Sequence, residues 1–429
     1  LEEKNVKLLI KNGRVIDPNS RTDETLDILL DRGKITKIKP KIEAKGLKVI
    51  DASRLVVAPG FIDMHVHLRE PGNEEKETIK TGALAAAKGG FTSIACMPNT
   101  APVNDNRGVT EYILYEAKRN AVVNVFPIAA VTRGLCGEML TDMADLSSAG
   151  AIAFSDDGHP IENSLVMRRA LEYSRLLDTL IIDHCEDKNL SSGGIMHEGY
   201  YSYKLGMKGI PASSEEIIVA RNIILAKETD ARIHIAHLSV KGAVDLLKKA
   251  KKENVKVTAE VTPHHLLLND SHMESFNTDL KVNPPLRSSD DVHALLEAIK
   301  EDYIDAFATD HAPHTPDEKD VEIDQAPFGI NGLETAVSLL LDKLVNKNII
   351  GIEKFIAMMS TNPARILGLE KKGKIAVGAD ADLTILKLHQ EVVVDKNQFR
   401  SKSRNTPFHG WKLKGAPVMT IVGGKIVYP

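Results

Sequence analysis

Apolar residues in the middle of the chain come in short continuous runs separated by longer amphipathic stretches. The runs at 60–67, 92–97, 122–130, 151–155, 180–183, 232–236, 256–261 and 305–309 have the length and apolar content of buried strands. Stretches at 77–88, 106–120, 164–177, 214–229 and 240–252 carry helical spacing, and Asn106, Ser164 and Ser214 stand where N-caps are expected. Strands alternating with helices at these lengths predict an α/β fold with parallel strands, either a barrel or an open doubly wound sheet.

The two ends of the chain read differently. Up to Pro59 the pattern is of short strands, at 6–10, 14–16, 26–30 and 34–38, and Asn12-Gly13 between two apolar runs predicts a hairpin turn. The same style returns at 382–386 and 419–427. Neither end has enough apolar positions for its own core. The expectation is one small β-sandwich domain built from residues 1–58 together with 370–429, beside a larger domain over 59–369.

The placement of polar chemistry decides between barrel and open sheet. His65, His67, Asn99, Asp157, His184, His237 and Asp310 all lie at or just past the C-terminal end of a strand run. In a (β/α)8 TIM-like barrel that end gathers loops from every strand around one mouth, whereas an open sheet would spread them along an edge. The barrel is therefore the expected fold. His65-Val66-His67 places two imidazoles two residues apart, on one side of a strand, as two ligands of one Zn²⁺ require. His184 and His237 end later strands, while His234, inside its strand, reads as structural. In Asp156-Asp157-Gly158 one carboxylate can lie between two cations and the other be an outward turn residue, and periodicity leaves open which does which. Asp310, in Thr309-Asp310-His311-Ala312-Pro313-His314, has the chemistry to hold and deliver a proton next to an ionised water. Arg69 follows His67 by two residues and offers a bidentate contact to a carboxylate, and the amides of Asn99 and Asn283 can read a ring's polar edge.

Composition narrows the partners. Of 429 residues, 43 % are hydrophobic and 27 % charged, with a net charge of −4 and no basic concentration, which argues against nucleic acid. No apolar run reaches the ~20 residues of a membrane span, no signal-peptide pattern opens the sequence, and the three cysteines, Cys96, Cys136 and Cys185, form no CxxC pair. A cytoplasmic protein acting on a small molecule is expected. There is no GxSxG elbow, and the Walker-like spacing from Gly368 to Lys374 lacks its Ser/Thr. Ser191-Ser192-Gly193-Gly194 reads as a flexible loop, and the acidic stretch 315–324 as a lid or a solvated loop.

Several segments together carry a resemblance. Pro59-Gly60-Phe61-Ile62-Asp63-Met64-His65-Val66-His67-Leu68-Arg69-Glu70-Pro71-Gly72 resembles the opening signature of dihydroorotases in the amidohydrolase superfamily, and Ala308-Thr309-Asp310-His311-Ala312-Pro313-His314 their closing one. Met97-Pro98-Asn99-Thr100, His184-Cys185-Glu186-Asp187, Val261-Thr262-Pro263-His264-His265 and Val282-Asn283-Pro284-Pro285-Leu286-Arg287 follow in the family order. The resemblance implies an enzyme that interconverts dihydroorotate and N-carbamoyl-L-aspartate in pyrimidine synthesis. It assigns His65 and His67 to a first zinc, His184 and His237 to a second, Asp157 to the bridge, and Asp310 to the first zinc and to proton transfer. It assigns substrate contacts to His67, Arg69, Asn99, Asn283, His314 and the backbone at Phe328-Gly329. Some branches bridge the metals with a carboxylated lysine. No lysine lies between Arg133 and Arg168, so an Asp bridge is expected, with one zinc site filling weakly. A homodimer and association with aspartate carbamoyltransferase are further implications. The rivals are another cyclic-amide hydrolase, such as a dihydropyrimidinase or allantoinase, and a non-catalytic scaffold that has lost ligands.

Overall fold

The computed structural model describes residues 7–429. Eight strands, Phe61–Val66, Phe91–Cys96, Asn124–Ala129, Ala153–Phe154, Ile181–Asp183, Ile233–Ile235, Val257–Val261 and Ala306–Phe307, pair in chain order into one sheet whose ladders are all parallel. Each coincides with one of the eight apolar runs. A parallel bridge joins Val66 to His311, and the His67 N–H donates to the His311 carbonyl at 2.8 Å. That contact brings the last strand's continuation against the first and all but closes the barrel. The strands are buried over most of their length because helices cover them, which is why they read as continuous apolar runs.

Helices Ile79–Gly89, Arg107–Asn120, Ser164–Leu176, Ser213–Thr229 and Lys241–Lys252 follow the amphipathic stretches. Asn106 caps its helix through a bond from the Val109 N–H. Two other caps differ from expectation. Asn163, not Ser164, accepts the N–H groups of Leu165 and Val166. The next helix opens at Ser213 without a side-chain cap, because the Ser214 hydroxyl donates instead to the Asp187 carbonyl at 3.0 Å.

Strands from both chain ends form a second eight-stranded sheet. Leu8–Asp17 pairs with Thr22–Asp31, which pairs with Lys34–Lys39, while Lys48–Asp51 and Val56–Pro59 share the other edge of Leu8–Asp17. Val56–Pro59 then pairs antiparallel with Leu383–Val393, followed by Lys412–Val422 and Lys425–Tyr428. Its core mixes the ends: Leu8, Ile10, Ile28, Leu30 and Val57 pack with Ile375, Leu383, Ile385 and Ile421. Val6, the start of the first expected strand, lies outside the described residues.

The hairpin expected at Asn12-Gly13 is absent. Leu8–Asp17 is one strand with a bulge between Ile10 and Gly13. Asn12 takes the left-handed conformation (φ 60°), its N–H donates to Asp27 Oδ1 at 2.9 Å, and the chain runs on instead of reversing. A tertiary carboxylate outcompetes the local turn. The reverse occurs in 419–427, where the expected single strand is split by a turn at Gly423-Gly424, both at positive φ. Among the described residues no helix is long and apolar enough to cross a membrane.

Candidate active site

A cavity of about 600 Å³ opens at the C-terminal ends of the barrel strands. It is lined by His67, Arg69, Asn99, Asp157, His184, His237, Asn283, Asp310, His314, Phe328 and Gly329, with His65 buried just beneath. The sequence-derived residues thus converge although they come from loops up to 264 positions apart (Gly329 − His65).

The floor is a cluster of imidazoles and carboxylates. His65 Nε2 stands 3.3 Å from Asp157 Oδ1 and 3.6 Å from Asp310 Oδ1. His67 Nε2 is 3.2 Å from Asp310 Oδ1 and 3.4 Å from Asp157 Oδ2. His237 Nε2 lies 3.6 Å from Asp157 Oδ1 and 2.9 Å from His184 Nδ1. Two groupings, His65–Asp157–His237 and His65–His67–Asp310, have ligand atoms within 4.8 Å of one another, and His184 stands just outside both. His65 Nε2, Asp157 Oδ1 and His237 Nδ1 are buried without a hydrogen-bond partner. Buried polar atoms left unpaired are costly and rare. The first two stand 3.3 Å apart, and imidazole nitrogens beside a carboxylate are a donor set that suits Zn²⁺.

The electrostatics point the same way. Burial opposes charge on His65, yet Asp157 and Glu260 hold its pKa well above the usual imidazole range. Burial likewise disfavours ionised Asp157 and Asp310, but the surrounding histidines keep both well below the ordinary carboxylate range. This much buried negative charge favours a positive charge among the carboxylates, and a divalent cation would satisfy that demand. The residues fit a metal centre.

The structure places the two aspartates differently. Asp157 faces the histidines. Asp156 is not an outward turn residue: it is buried, its Oδ1 accepts the Val131 and Thr132 N–H groups at 2.8 and 3.0 Å, and its Oδ2 accepts the Thr132 hydroxyl. Asp157→Ala should therefore lower metal content and rate together. Asp156→Ala should leave bound metal in place and lower folding stability, by roughly 1–3 kcal/mol for each backbone donor it strands. Metal analysis and thermal denaturation of both variants check this, and reversed effects would exchange the two roles.

Supporting residues escaped the sequence reading. Glu260, fully buried in Val257–Val261, takes His65 Nδ1 at 2.7 Å and His234 Nε2 at 3.2 Å. Burial opposes its charge, but these histidines hold its pKa at about 2. An ionised Glu260 makes His65 Nδ1 the donor and leaves Nε2 free to face the cluster, the usual arrangement behind a metal-binding histidine. Asp63 Oδ1 accepts the His65 and Thr309 N–H groups at 3.1 and 3.2 Å, tying the first and last strands at the site. Glu186 receives His184 Nε2 at 2.9 Å, Lys188 Nζ at 2.6 Å and Asn283 Nδ2 at 3.0 Å. The available signal was an acidic residue inside an apolar run, which must find a buried partner.

Arg69 owes its position to its backbone rather than to strand alternation, since the strand ends at Val66. Its φ of 62°, with 30° for His237 and 47° for Asp310, puts three site residues in the left-handed region, where non-glycine residues are uncommon and strain gathers at functional sites. Its Nε donates to the Pro313 carbonyl at 3.2 Å. No carboxylate pairs with the guanidinium among the described residues, although the side chain lines the cavity and burial lowers its pKa.

The other expected substrate contacts are partly engaged. Asn99 Oδ1 meets His67 Nδ1 at 2.9 Å, leaving its amide nitrogen for a ligand. His314 has Nδ1 at 3.2 Å from Glu318 and Nε2 at 2.8 Å from the Phe328 carbonyl, and burial, Arg69 and Lys319 bring its pKa down to about 3. The Gly329 N–H donates to the Lys281 carbonyl at 2.9 Å, and its own carbonyl accepts Asn405 Nδ2 at 2.9 Å. Phe328-Gly329 therefore contributes mainly a wall. Glycine is required there: φ is 128°, and a Cβ would lie 2.7 Å from Ala312 Cβ. Ser191–Gly194, expected as a flexible loop, also lines the cavity, and a Cβ on Gly194 would meet Ile210 Cγ1 at 2.4 Å. The acidic stretch 315–324 opens with the short helix Pro316–Lys319, capped by Thr315.

Comparison with known proteins agrees with this geometry. A family model described as dihydro-orotase-like matches residues 53–243, and one described as amidohydrolase family matches 228–428. The chain is 54 % identical over 422 residues to a dihydroorotase of Pelotomaculum thermopropionicum, covering 98 % of each. It is 51 % identical over 425 residues to a dihydroorotase of Syntrophus aciditrophicus, covering 99 % of each. Among solved structures, L-hydantoinase (dihydropyrimidinase) from Arthrobacter aurescens superposes with a TM-score of 0.89 at 27 % identity, covering 98 % of this chain and 96 % of that one. Sharing half its residues with these relatives from end to end, and bearing the histidine–aspartate cluster at the mouth of such a barrel, the chain belongs to the dihydroorotase family.

Proposed function

We propose that the chain is a metal-dependent dihydroorotase, interconverting dihydroorotate and N-carbamoyl-L-aspartate in pyrimidine synthesis. The observation that carries this reading is Arg69: a half-buried guanidinium that lines the cavity beside the His–Asp cluster with no carboxylate partner among the described residues. A cation drawn out of water is costly unless paired, and a substrate carboxylate provides the pair. A planar carboxylate matches the guanidinium fork, with the free amide of Asn99 alongside.

His65, His67, His184, His237, Asp157 and Asp310 would hold two zinc ions, with Asp157 serving both and one of the two sites filling weakly. Such ions supply Lewis acidity toward a water and toward the ring carbonyl. The residues perform the rest. Arg69 docks the carboxylate and fixes which ring carbonyl faces the cluster. Asp310, held ionised by its histidines, takes a proton from the attacking water. As the new C–O bond forms and the ring C–N bond breaks, Asp310 passes that proton to the departing nitrogen, and the water's other proton is released to solvent, leaving a carboxylate and a carbamoyl group. In the reverse direction Asp310 takes the proton from the nitrogen as the ring closes.

The hydantoinase-like fold supports a second reading, a hydrolase of uncharged rings. A neutral ring would leave Arg69 unpaired. Steady-state rates on dihydroorotate, dihydrouracil, hydantoin and allantoin decide between them. Marked preference for dihydroorotate is expected, and equal turnover of dihydrouracil would favour the second reading.

A further inference from the structure

Two lysines beside the cavity have an unusual environment. Lys281 and Lys319 are 3 % and 7 % exposed, and neither has a salt-bridge partner among the described residues. Lysine is almost never buried without one. Each ammonium instead binds backbone carbonyls of one loop. Lys281 Nζ donates to Ile323 and Asp324 at 2.8 and 3.0 Å and lies 4.8 Å from the centre of the Phe328 ring. Lys319 Nζ donates to Pro327 at 2.8 Å and to Thr278 at 3.1 Å. The Lys281 carbonyl meanwhile accepts the Gly329 N–H.

We propose that Lys281 and Lys319 are positioning residues, whose paired ammonium groups clamp the 323–329 segment so that Phe328-Gly329 forms a fixed wall of the substrate cavity. The proposal rests on the dihydroorotase reading only for the identity of the ligand. Charged donors on carbonyls make strong, short bonds in a desolvated setting. A backbone loop held by neutral groups alone would move, whereas here the buried charges leave their carbonyls no alternative partner of equal strength. The wall in turn places His314, whose Nε2 meets the Phe328 carbonyl and which lines the same cavity. The stretch 315–324, lid-like in sequence, is thereby pinned: its helix ends on Lys319 and its tail is gripped by Lys281.

The test compares the wild-type protein with Lys281→Met and Lys319→Met, which keep side-chain length and remove the donors. Hydrogen–deuterium exchange of peptides spanning 323–330 reads the clamp without reference to activity, and dihydroorotate kinetics with metal analysis read its consequence. Faster exchange confined to that segment is expected in each variant, with KM raised about tenfold or more, the scale of losing bonds to a charged donor. The value of kcat and the metal content should change little. Unaltered exchange and KM in a folded variant would overturn the proposal. So would a fall in kcat and metal content with KM unmoved. Should a variant fail to fold, the wild type still decides: the Gly329 amide must be protected, and rapid exchange there would refute the clamp. Absence of dihydroorotate turnover by the wild type would count against the functional reading alone and leave the exchange result standing.

Discussion

Asp310→Asn is expected to slow dihydroorotate turnover at least ~10²-fold, the usual minimum for losing a positioned acid–base group. The variant should still fold, retain much of its metal and bind substrate. Asn keeps the shape and one oxygen near His67 Nε2, which lies 3.2 Å from Asp310 Oδ1, but cannot accept a proton. The backbone does not confound the result, since Asn tolerates the left-handed φ of 47° as readily as Asp. Rate and metal content measured on the same sample separate the two duties asked of this carboxylate. If lost metal fully accounts for the lost rate, Asp310 is a ligand and nothing more. A near-normal rate with metal in place would assign the proton to another group, His314 being the nearest of the remaining candidates in sequence.

The second large effect belongs to Arg69. Arg69→Lys should cost about 2–5 kcal/mol of transition-state binding for dihydroorotate, the range for truncating one partner of a buried charge pair. A positive charge remains, so the loss reports geometry: an ammonium cannot reproduce the planar two-point contact. The left-handed backbone at φ 62° is no easier or harder for Lys than for Arg, so misfolding is not the expected cause. Rates on neutral rings should fall far less, narrowing the preference for dihydroorotate. An unchanged kcat/KM for dihydroorotate in Arg69→Lys would remove Arg69 from substrate recognition.

These expectations differ in how far the sequence alone could support them. Strands of a parallel barrel are buried on both faces, so runs such as Phe61–Val66 stand out without any alignment of pattern. The chemistry stands out for a related reason: a histidine or aspartate ending such a run has few bland uses at a barrel mouth. For Glu260 the need for a buried partner is legible from its place in an apolar run but the partner is not, because His65 lies 195 positions away. Arg69 is legible from its two-residue spacing after His67 but its direction is not, since the strand has ended and a left-handed turn aims the side chain. Asn12-Gly13 shows the opposite failure, a strong local turn signal overridden by the buried carboxylate of Asp27. Lys281 and Lys319 look like ordinary surface charges in sequence, and only their burial against carbonyls sets them apart.

The central claim is that the His–Asp cluster is a metal centre on which cyclic-amide hydrolysis depends. Its most direct test is metal content and dihydroorotate turnover followed together on one purified sample, through chelation and then Zn²⁺ replacement. Activity should fall with the metal and return with it, and His65→Ala, which removes a member common to both groupings, should neither retain metal nor recover. Full activity in a metal-free sample would contradict it.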